Sequence, residues 1–158
     1  MAEFTHLDDK GHAVMVDVSE KKISKRSATA CSIVTLPPQV LEKLMDGDIQ
    51  TKKGAVFQTA VIAGIMAAKK TGELIPLCHP LGLDNCSINI HVNNQQELVI
   101  TCRATITAKT GVEMEALVGA TIAALTVYDM CKALSHDITI KETRLIEKTG
   151  GKNDFRRT

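Results

Sequence analysis

Two segments in which apolar and polar residues alternate constrain the fold of this chain more than any other feature. Apolar residues occupy every even position in residues 86–92 and again in residues 98–106, and the turn-like sequence NNQQE separates the two segments. Successive side chains of a β-strand point to opposite faces of the sheet. The alternation therefore predicts a β-hairpin with one buried face.

The other periodic segments predict one strand and two helical regions before this hairpin, and one helix and one strand after it. The predictions are a strand over 28–36, a short helix over 37–47, a helix over about 56–71, a helix of about twenty residues from position 113, and a strand over 138–147. The second helix carries a stripe of small residues that allows another backbone to approach closely. This order predicts an α+β fold, the ferredoxin-like βαββαβ sandwich, with an antiparallel sheet and helices on one face. We expect a single domain over 1–158, with an irregular and flexible N-terminal segment over 1–27.

Composition excludes several classes of function. The formal net charge is only +1, which argues against binding to nucleic acid or to an anionic membrane surface. Aromatic residues make up 3% of the chain, too few for a base-stacking surface. The five cysteines form no C-x-x-C pair, and no signal-peptide or membrane-spanning segment is evident. We therefore expect a cytoplasmic protein.

Asp129 and Lys132 form a candidate acid/base pair near the end of the long predicted helix. Residues three apart project from the same face of a helix, so the two side chains can share a proton or a substrate. An ordinary surface ion pair is the alternative, because such pairs are common and weak. The neighbours Tyr128, Met130 and Cys131 favour a half-buried, apolar setting in which a pKa can be tuned.

Glu113 and Glu115 lie at the other end of this helix, where the helix dipole alone would favour carboxylates. At the helical rise, Glu115 lies about 21 Å from Asp129. A compact pocket within one chain cannot contain both groups. If both act on one substrate, the pocket lies between subunits and the protein is an oligomer.

Cys78 and His79 lie between two prolines in the loop LIPLCHPLGL, which would hold His79 in one direction. A catalytic role, a structural histidine and a metal site completed by Cys86 or Cys102 are the alternatives. Zinc spacing is absent, so we predict no metal site.

Several basic residues fall in loops or at the ends of predicted elements, where they can reach a shared ligand. They are Arg26, Lys53, Lys69, Lys148 and Lys152. Each by itself is explained as a solvated charge. Together with two pairs of carboxylates they indicate an anionic, phosphate-bearing substrate and acid/base chemistry.

The order of several longer segments resembles the MoaC family of molybdenum-cofactor biosynthesis over nearly the whole chain. The segments are THLDDKGHAVMVDVS, TKKG, AVIAGIMAAKKT, LIPLCHPL, KTGVEMEAL, ALTVYDMCKAL and KTGGK. The resemblance implies a phosphorus–oxygen lyase that converts (8S)-3',8-cyclo-7,8-dihydroguanosine 5'-triphosphate to cyclic pyranopterin monophosphate and diphosphate. It also implies a cytoplasmic homohexamer, a trimer of dimers, with active sites at subunit interfaces. No cofactor is implied, although a divalent ion such as Mg²⁺ can accompany the phosphates.

The resemblance also assigns roles to individual residues. Its motifs place the catalytic groups at Asp129, Lys132, Lys53 and His79. The substrate-binding positions are Leu77, Cys78, His79, Glu113, Met114, Glu115, Arg26, Lys69 and Lys148. The C-terminal GGKNDFRRT departs from the GGKSGD form of the family, which leaves Lys152 without an assigned role, and residues 36–50 indicate nothing about activity.

A ferredoxin-like module that binds a small molecule without catalysis, as a regulatory domain, is the alternative function. An RNA-binding module would need exposed aromatic residues on the central strands, which contain none. A metal carrier would need paired cysteines. Product analysis separates turnover from binding alone.

Overall fold

The computed structural model describes residues 5–158 of the chain, and Met1 to Phe4 lie outside the described residues. In chain order the elements are β1 (Ser24–Thr35), α1 (Pro38–Leu41), β2 (Leu44–Met45), β3 (Asp48–Thr51), β4 (Gly54–Ala55), α2 (Val56–Lys69), α3 (Thr71–Leu74), β5 (Asn85–Val92), β6 (Glu97–Ala108), α4 (Glu113–Cys131), β7 (Thr139–Thr149) and β8 (Phe155–Arg156).

The main sheet confirms the ferredoxin-like α+β prediction. Within residues 5–158 its strand order is β5-β6-β1-β7-β8, and every neighbouring pair is antiparallel. The predicted hairpin is β5 and β6, with Ile90 opposite Ile100 in the register. The even positions 98 to 106 of β6 are buried and pack beneath the helices, as the alternation predicted, while the even positions of β5 are partly buried.

Helices α2 and α4 lie together on one face of this sheet, and α4 contacts both β1 and β6. Their backbones approach closely where Gly64 of α2 faces Gly119 of α4. A Cβ atom built on Gly64 would lie 2.6 Å from the Gly119 carbonyl oxygen, and one on Gly119 would lie 2.5 Å from Cys102 Sγ. The predicted close approach to the small-residue stripe of α2 is thus confirmed.

Helix α4 is long and apolar enough to meet the length and composition criteria for a membrane span, with a mean hydropathy of 1.3. Half of that stretch is buried, and its buried residues are mostly small, such as Ala116, Ala120 and Ala123. Packing against the sheet and α2 accounts for this composition.

The predicted boundary between the irregular N-terminal segment and the first strand was wrong. Strand β1 begins at Ser24, so the irregular segment does not extend to position 27. Ser24 already pairs with Ala108 of β6, and its hydroxyl donates to the Gly150 carbonyl oxygen at 2.7 Å. These long-range bonds hold a polar sequence in a strand that periodicity alone does not reveal.

The helix predicted over 37–47 is in fact a single turn, α1. Asp46 and Gly47 both have positive φ, 52° and 81°, which ends any helix and makes a tight turn. That turn joins β2 to β3, which belong to a second, three-stranded sheet with β4. The helix predicted to reach position 71 ends at Lys69, and a separate turn of helix, α3, follows.

Candidate active site at the two ends of helix α4

Three charged side chains meet at the C-terminal end of α4. Lys132 Nζ lies 2.7 Å from Asp129 Oδ1, and Lys53 Nζ lies 3.6 Å from Asp129 Oδ2. Asp129 and Lys132 are on one face because they are three residues apart, whereas Lys53 comes from the turn between β3 and β4. The structure therefore brings together three of the four residues predicted to be catalytic.

The predicted burial of these charged side chains is wrong for the isolated chain, although Met130, Ala133 and Leu134 do line the groove beside them. The side chains of Lys53, Asp129 and Lys132 are 63%, 54% and 48% exposed. Met130 and Cys131 are buried, but they point into the core while Asp129 projects away from it. Of these apolar neighbours, Cys131 is fully buried, whereas Met130 still reaches the lining of the groove beside Asp129.

The charges of this cluster stabilise one another. The hydrogen bond and charge of Lys132, and then the charge of Lys53, hold the pKa of Asp129 below its usual value. The same hydrogen bond raises the pKa of Lys132. Asp129 is therefore ionised and Lys132 protonated at neutral pH, and a groove of about 600 Å³ opens over the cluster.

A second cavity, of about 420 Å³, lies at the N-terminal end of α4. The predicted site residues that line it are Arg26, Leu77, Cys78, His79, Glu113, Met114 and Glu115. Arg26 is oriented by a hydrogen bond from its Nε to the Ala108 carbonyl oxygen at 3.1 Å. The hydroxyl of Thr110, also in the lining, is buried and has no hydrogen-bond partner among the described residues.

Glu115 is the most enclosed carboxylate of this cavity, with only 3% of the residue exposed. Burial raises the pKa of Glu115, and the charge of Glu113 raises it further. Burial and then the charge of Glu115 raise the pKa of the Cys78 thiol. Glu115 can therefore accept or release a proton closer to neutral pH than an exposed glutamate can.

His79 contacts the segment that precedes β1. Its Nε2 lies 2.8 Å from the Val16 carbonyl oxygen, and because a carbonyl only accepts, Nε2 carries the proton in this arrangement. Lys109 Nζ donates to the Ser19 carbonyl oxygen at 2.7 Å and holds the same segment. Among residues 5–158 no group of three or more His, Cys, Asp or Glu side chains could hold a metal ion.

A basic cavity adjoins this one. Lys148 Nζ lies 3.0 Å from Glu113 Oε1, and the cavity lining also includes Arg26, Lys21 and Lys152. Lys152 thus joins the predicted basic residues, although its sequence context departs from the family. Sequence reasoning missed Lys21 because EKKISKR mixes charges in a segment with no periodic pattern.

Lys69 is the one predicted site residue that lies apart from both ends of α4. It lines none of the described cavities at the two ends, and its charge acts on Cys86 of β5. The hydrogen bond from Cys102 and then the charge of Lys69 lower the pKa of Cys86. Cys86 and Cys102 lie together, with their sulfur atoms 3.8 Å apart, so neither completes a site with His79 in the described chain.

The chain is similar over nearly its whole length to known proteins of molybdenum cofactor biosynthesis. The MoaC family model matches residues 15–151. A cyclic pyranopterin monophosphate synthase of Xanthomonas oryzae pv. oryzae is 55% identical over 154 residues, covering 98% of this chain and 93% of that protein. The corresponding synthase of Xanthomonas axonopodis pv. citri is 53% identical with the same coverage. A molybdenum cofactor biosynthesis bifunctional protein of Synechocystis is 50% identical over 98% of this chain and 46% of that protein.

Proposed function

Since this chain belongs to the MoaC family, we propose that it is a cyclic pyranopterin monophosphate synthase, a lyase of molybdenum cofactor biosynthesis. Its substrate is the cyclised triphosphate (8S)-3',8-cyclo-7,8-dihydroguanosine 5'-triphosphate, and its products are cyclic pyranopterin monophosphate and diphosphate. The observation that carries this proposal is the cluster of Lys53, Asp129 and Lys132, together with the similarity to named synthases over 98% of the chain. A regulatory module that only binds would not require such a cluster.

The basic cavity at the N-terminal end of α4 is the proposed site for the triphosphate. Arg26 and Lys148 lie there with Lys152, and Lys148 exchanges its ion pair with Glu113 for the phosphates. When these basic residues neutralise the negative charge of the triphosphate, they favour attack of the ribose oxygen on the innermost phosphorus, with diphosphate as the leaving group.

The cluster at the C-terminal end is the proposed site of proton transfer. Asp129 is ionised and can accept a proton, while the neighbouring Lys132 and Lys53 are donors. These transfers open the imidazole part of the purine and allow the pterin ring to form. His79 and Glu115, at the opposite end of the helix, are the further groups in our proposal that contact the substrate.

The two ends of α4 must meet across subunits if one substrate contacts both. Fourteen residues separate Glu115 from Asp129, a distance of about 21 Å at the helical rise. The exposure of the Asp129 cluster supports this arrangement, because a neighbouring subunit can cover charged side chains that one chain leaves exposed. We propose a cytoplasmic homohexamer, a trimer of dimers, in which each site uses the C-terminal end of one α4 and the N-terminal end of another.

No cofactor is required in this proposal, and a divalent ion such as Mg²⁺ can accompany the phosphates. The test is to supply the purified protein with the cyclised triphosphate, with and without added Mg²⁺. We expect release of diphosphate and a product that becomes a fluorescent pterin on oxidation. Tight binding of the triphosphate with neither product would contradict the proposal and favour the regulatory module.

A further inference from the structure

Helix α2 lacks a capping side chain at its own start. Its N-cap residue is Ala55, whose methyl group accepts no hydrogen bond. The first backbone N–H groups of a helix have no partner within the helix and are normally satisfied by a Ser, Thr, Asp or Asn at that position. Another part of the chain must supply the acceptor.

Asp48, seven residues earlier at the start of β3, supplies it. Its Oδ1 accepts hydrogen bonds from the backbone N–H of Phe57 at 2.7 Å and of Ile49 at 2.6 Å. Its Oδ2 accepts from the backbone N–H of Gln58 at 3.2 Å. Asp48 is only 9% exposed, and its carboxylate lies at the positive end of the α2 dipole.

The chain between Asp48 and α2 forms a short hairpin that carries Lys53. Strands β3 and β4 pair at Gln50 with Ala55 and at Thr51 with Gly54. At the tip, the Thr51 hydroxyl donates to the Gly54 carbonyl oxygen and accepts from the Lys53 N–H, each at 3.1 Å. The tip is held by its own bonds, and Asp48 joins the first residue of the hairpin to the helix that follows it.

The base of this hairpin also lies beside the C-terminal end of α4. The charge of Asp48 contributes, after burial, to raising the pKa of the buried Cys131 thiol, the last residue of α4. Asp129 lies two residues before Cys131. The Asp48 carboxylate therefore bonds the Lys53 hairpin to the start of α2, and the adjacent Ile49 belongs to the same buried cluster as Cys131 at the end of α4.

We propose that Asp48 is a positioning residue that holds the Lys53 ammonium group against Asp129. It touches no reacting atom itself. The inference rests on the proposed function, because Lys53 matters only if this cluster is catalytic. Loss of the Asp48 bonds frees both ends of the hairpin, and a displacement of about 1 Å at a catalytic group can cost about 100-fold in rate.

The first test compares three variants of the full-length protein. Asp48→Ala removes all three bonds, Asp48→Asn keeps the Oδ1 acceptor, and Asp46→Asn changes an exposed carboxylate two residues away as the matched control. We expect exchange of the Phe57 and Gln58 amide hydrogens to accelerate at least about tenfold in Asp48→Ala and less in Asp48→Asn. Unchanged exchange in Asp48→Ala would overturn the inference, whether or not the protein turns over the triphosphate.

The second test separates positioning from a purely structural role. Single-turnover rates at saturating triphosphate should fall between about tenfold and 100-fold in Asp48→Ala, with partial recovery in Asp48→Asn. In a Lys53→Ala background, Asp48→Ala should cause little further loss, because the group it positions is gone. Equal losses in both backgrounds, or a lower melting temperature with an unchanged rate, would overturn the inference. Absence of turnover in the wild-type protein would instead contradict the proposed function.

Discussion

The two ends of α4 carry similar residues in opposite settings. At the N-terminal end Glu115 is 3% exposed and its pKa is raised by burial, whereas at the C-terminal end Asp129 is 54% exposed and its pKa is lowered by Lys132. Buried Glu115 makes the N-terminal end the enclosed one and exposed Asp129 makes the C-terminal end the open one, although the cavities over both ends are open to solvent. Burial thus tunes the carboxylate at the first end and neighbouring lysines tune the one at the second, and in the assembly that we propose a second subunit covers the exposed end.

The largest expected effect comes from Asp129→Asn, which removes the proton acceptor of the open end. General acid/base groups typically contribute about 100-fold to 10,000-fold to a rate, so we expect product formation to fall by at least about 100-fold. The fold should remain, because the side chain is exposed. Diphosphate release and circular dichroism measure the two outcomes.

Asp137→Asn, an exposed aspartate just beyond α4, is the matched control and should keep normal turnover. Near-normal turnover in Asp129→Asn would remove Asp129 from the mechanism. The open end would then be an ordinary surface ion pair, the alternative that the sequence left open.

The next effect tests whether the two ends serve one pocket in different subunits. Asp129→Asn and Glu115→Gln each inactivate one end, and co-expression of the two variants places both in one assembly. Random mixing would give about a quarter of the sites a normal residue at both ends, so we expect about a quarter of wild-type turnover from two inactive parents. Mixtures with no more activity than the parents would contradict a pocket built from the ends of α4 in two subunits.

The length of an element determines how well its sequence predicts it. The β5–β6 hairpin and α4 were predictable because their patterns extend over many residues and report burial directly. Strands β2 and β4 have two residues each, too short for any periodicity, so the second sheet was missed. Asp48 lies in that stretch, and no local motif marks it because its partners belong to a helix that begins eight residues later.

Among the site residues, contacts within one helix were predictable and tertiary contacts were not. Spacing correctly paired Asp129 with Lys132, since three residues on a helix fix a common face. Spacing did not predict their exposure, which depends on what α4 packs against rather than on the neighbours in sequence. The Lys53 contact with Asp129 is a tertiary contact between a hairpin tip and a helix, and only the resemblance to a family connected the two in advance.

A smaller effect should follow from overpacking the contact between α2 and the middle of α4. Gly64→Ala forces a methyl group against the Gly119 carbonyl oxygen, 2.6 Å away, and backbone atoms cannot move aside easily. Overpacking of this kind costs about 1–3 kcal/mol, which exceeds the helix propensity that Ala gains. Urea unfolding should show this loss, with Gly82→Ala as the control because no described atom lies within 4 Å of its Cβ. Equal stability of the two variants would mean that the helices can separate.

The smallest effect is a difference in the sign of pH dependence at the two ends. The folded-state pKa of Glu115 is raised above 4.5, so the folded protein binds this proton more tightly than the unfolded chain does. The contribution of protonated Glu115 to stability is therefore present below pH 4.5 and is lost as pH rises through the folded-state pKa. The folded-state pKa of Asp129 is lowered below 3.8, so its contribution is present above that value and is lost as pH falls. Urea midpoints measured from about pH 3 to pH 8 should therefore show Glu115→Gln gaining on the wild type as pH rises, and Asp129→Asn losing slightly. A pH-independent difference for Glu115→Gln would mean that the enclosed end is hydrated, and the contrast between the two ends would fail.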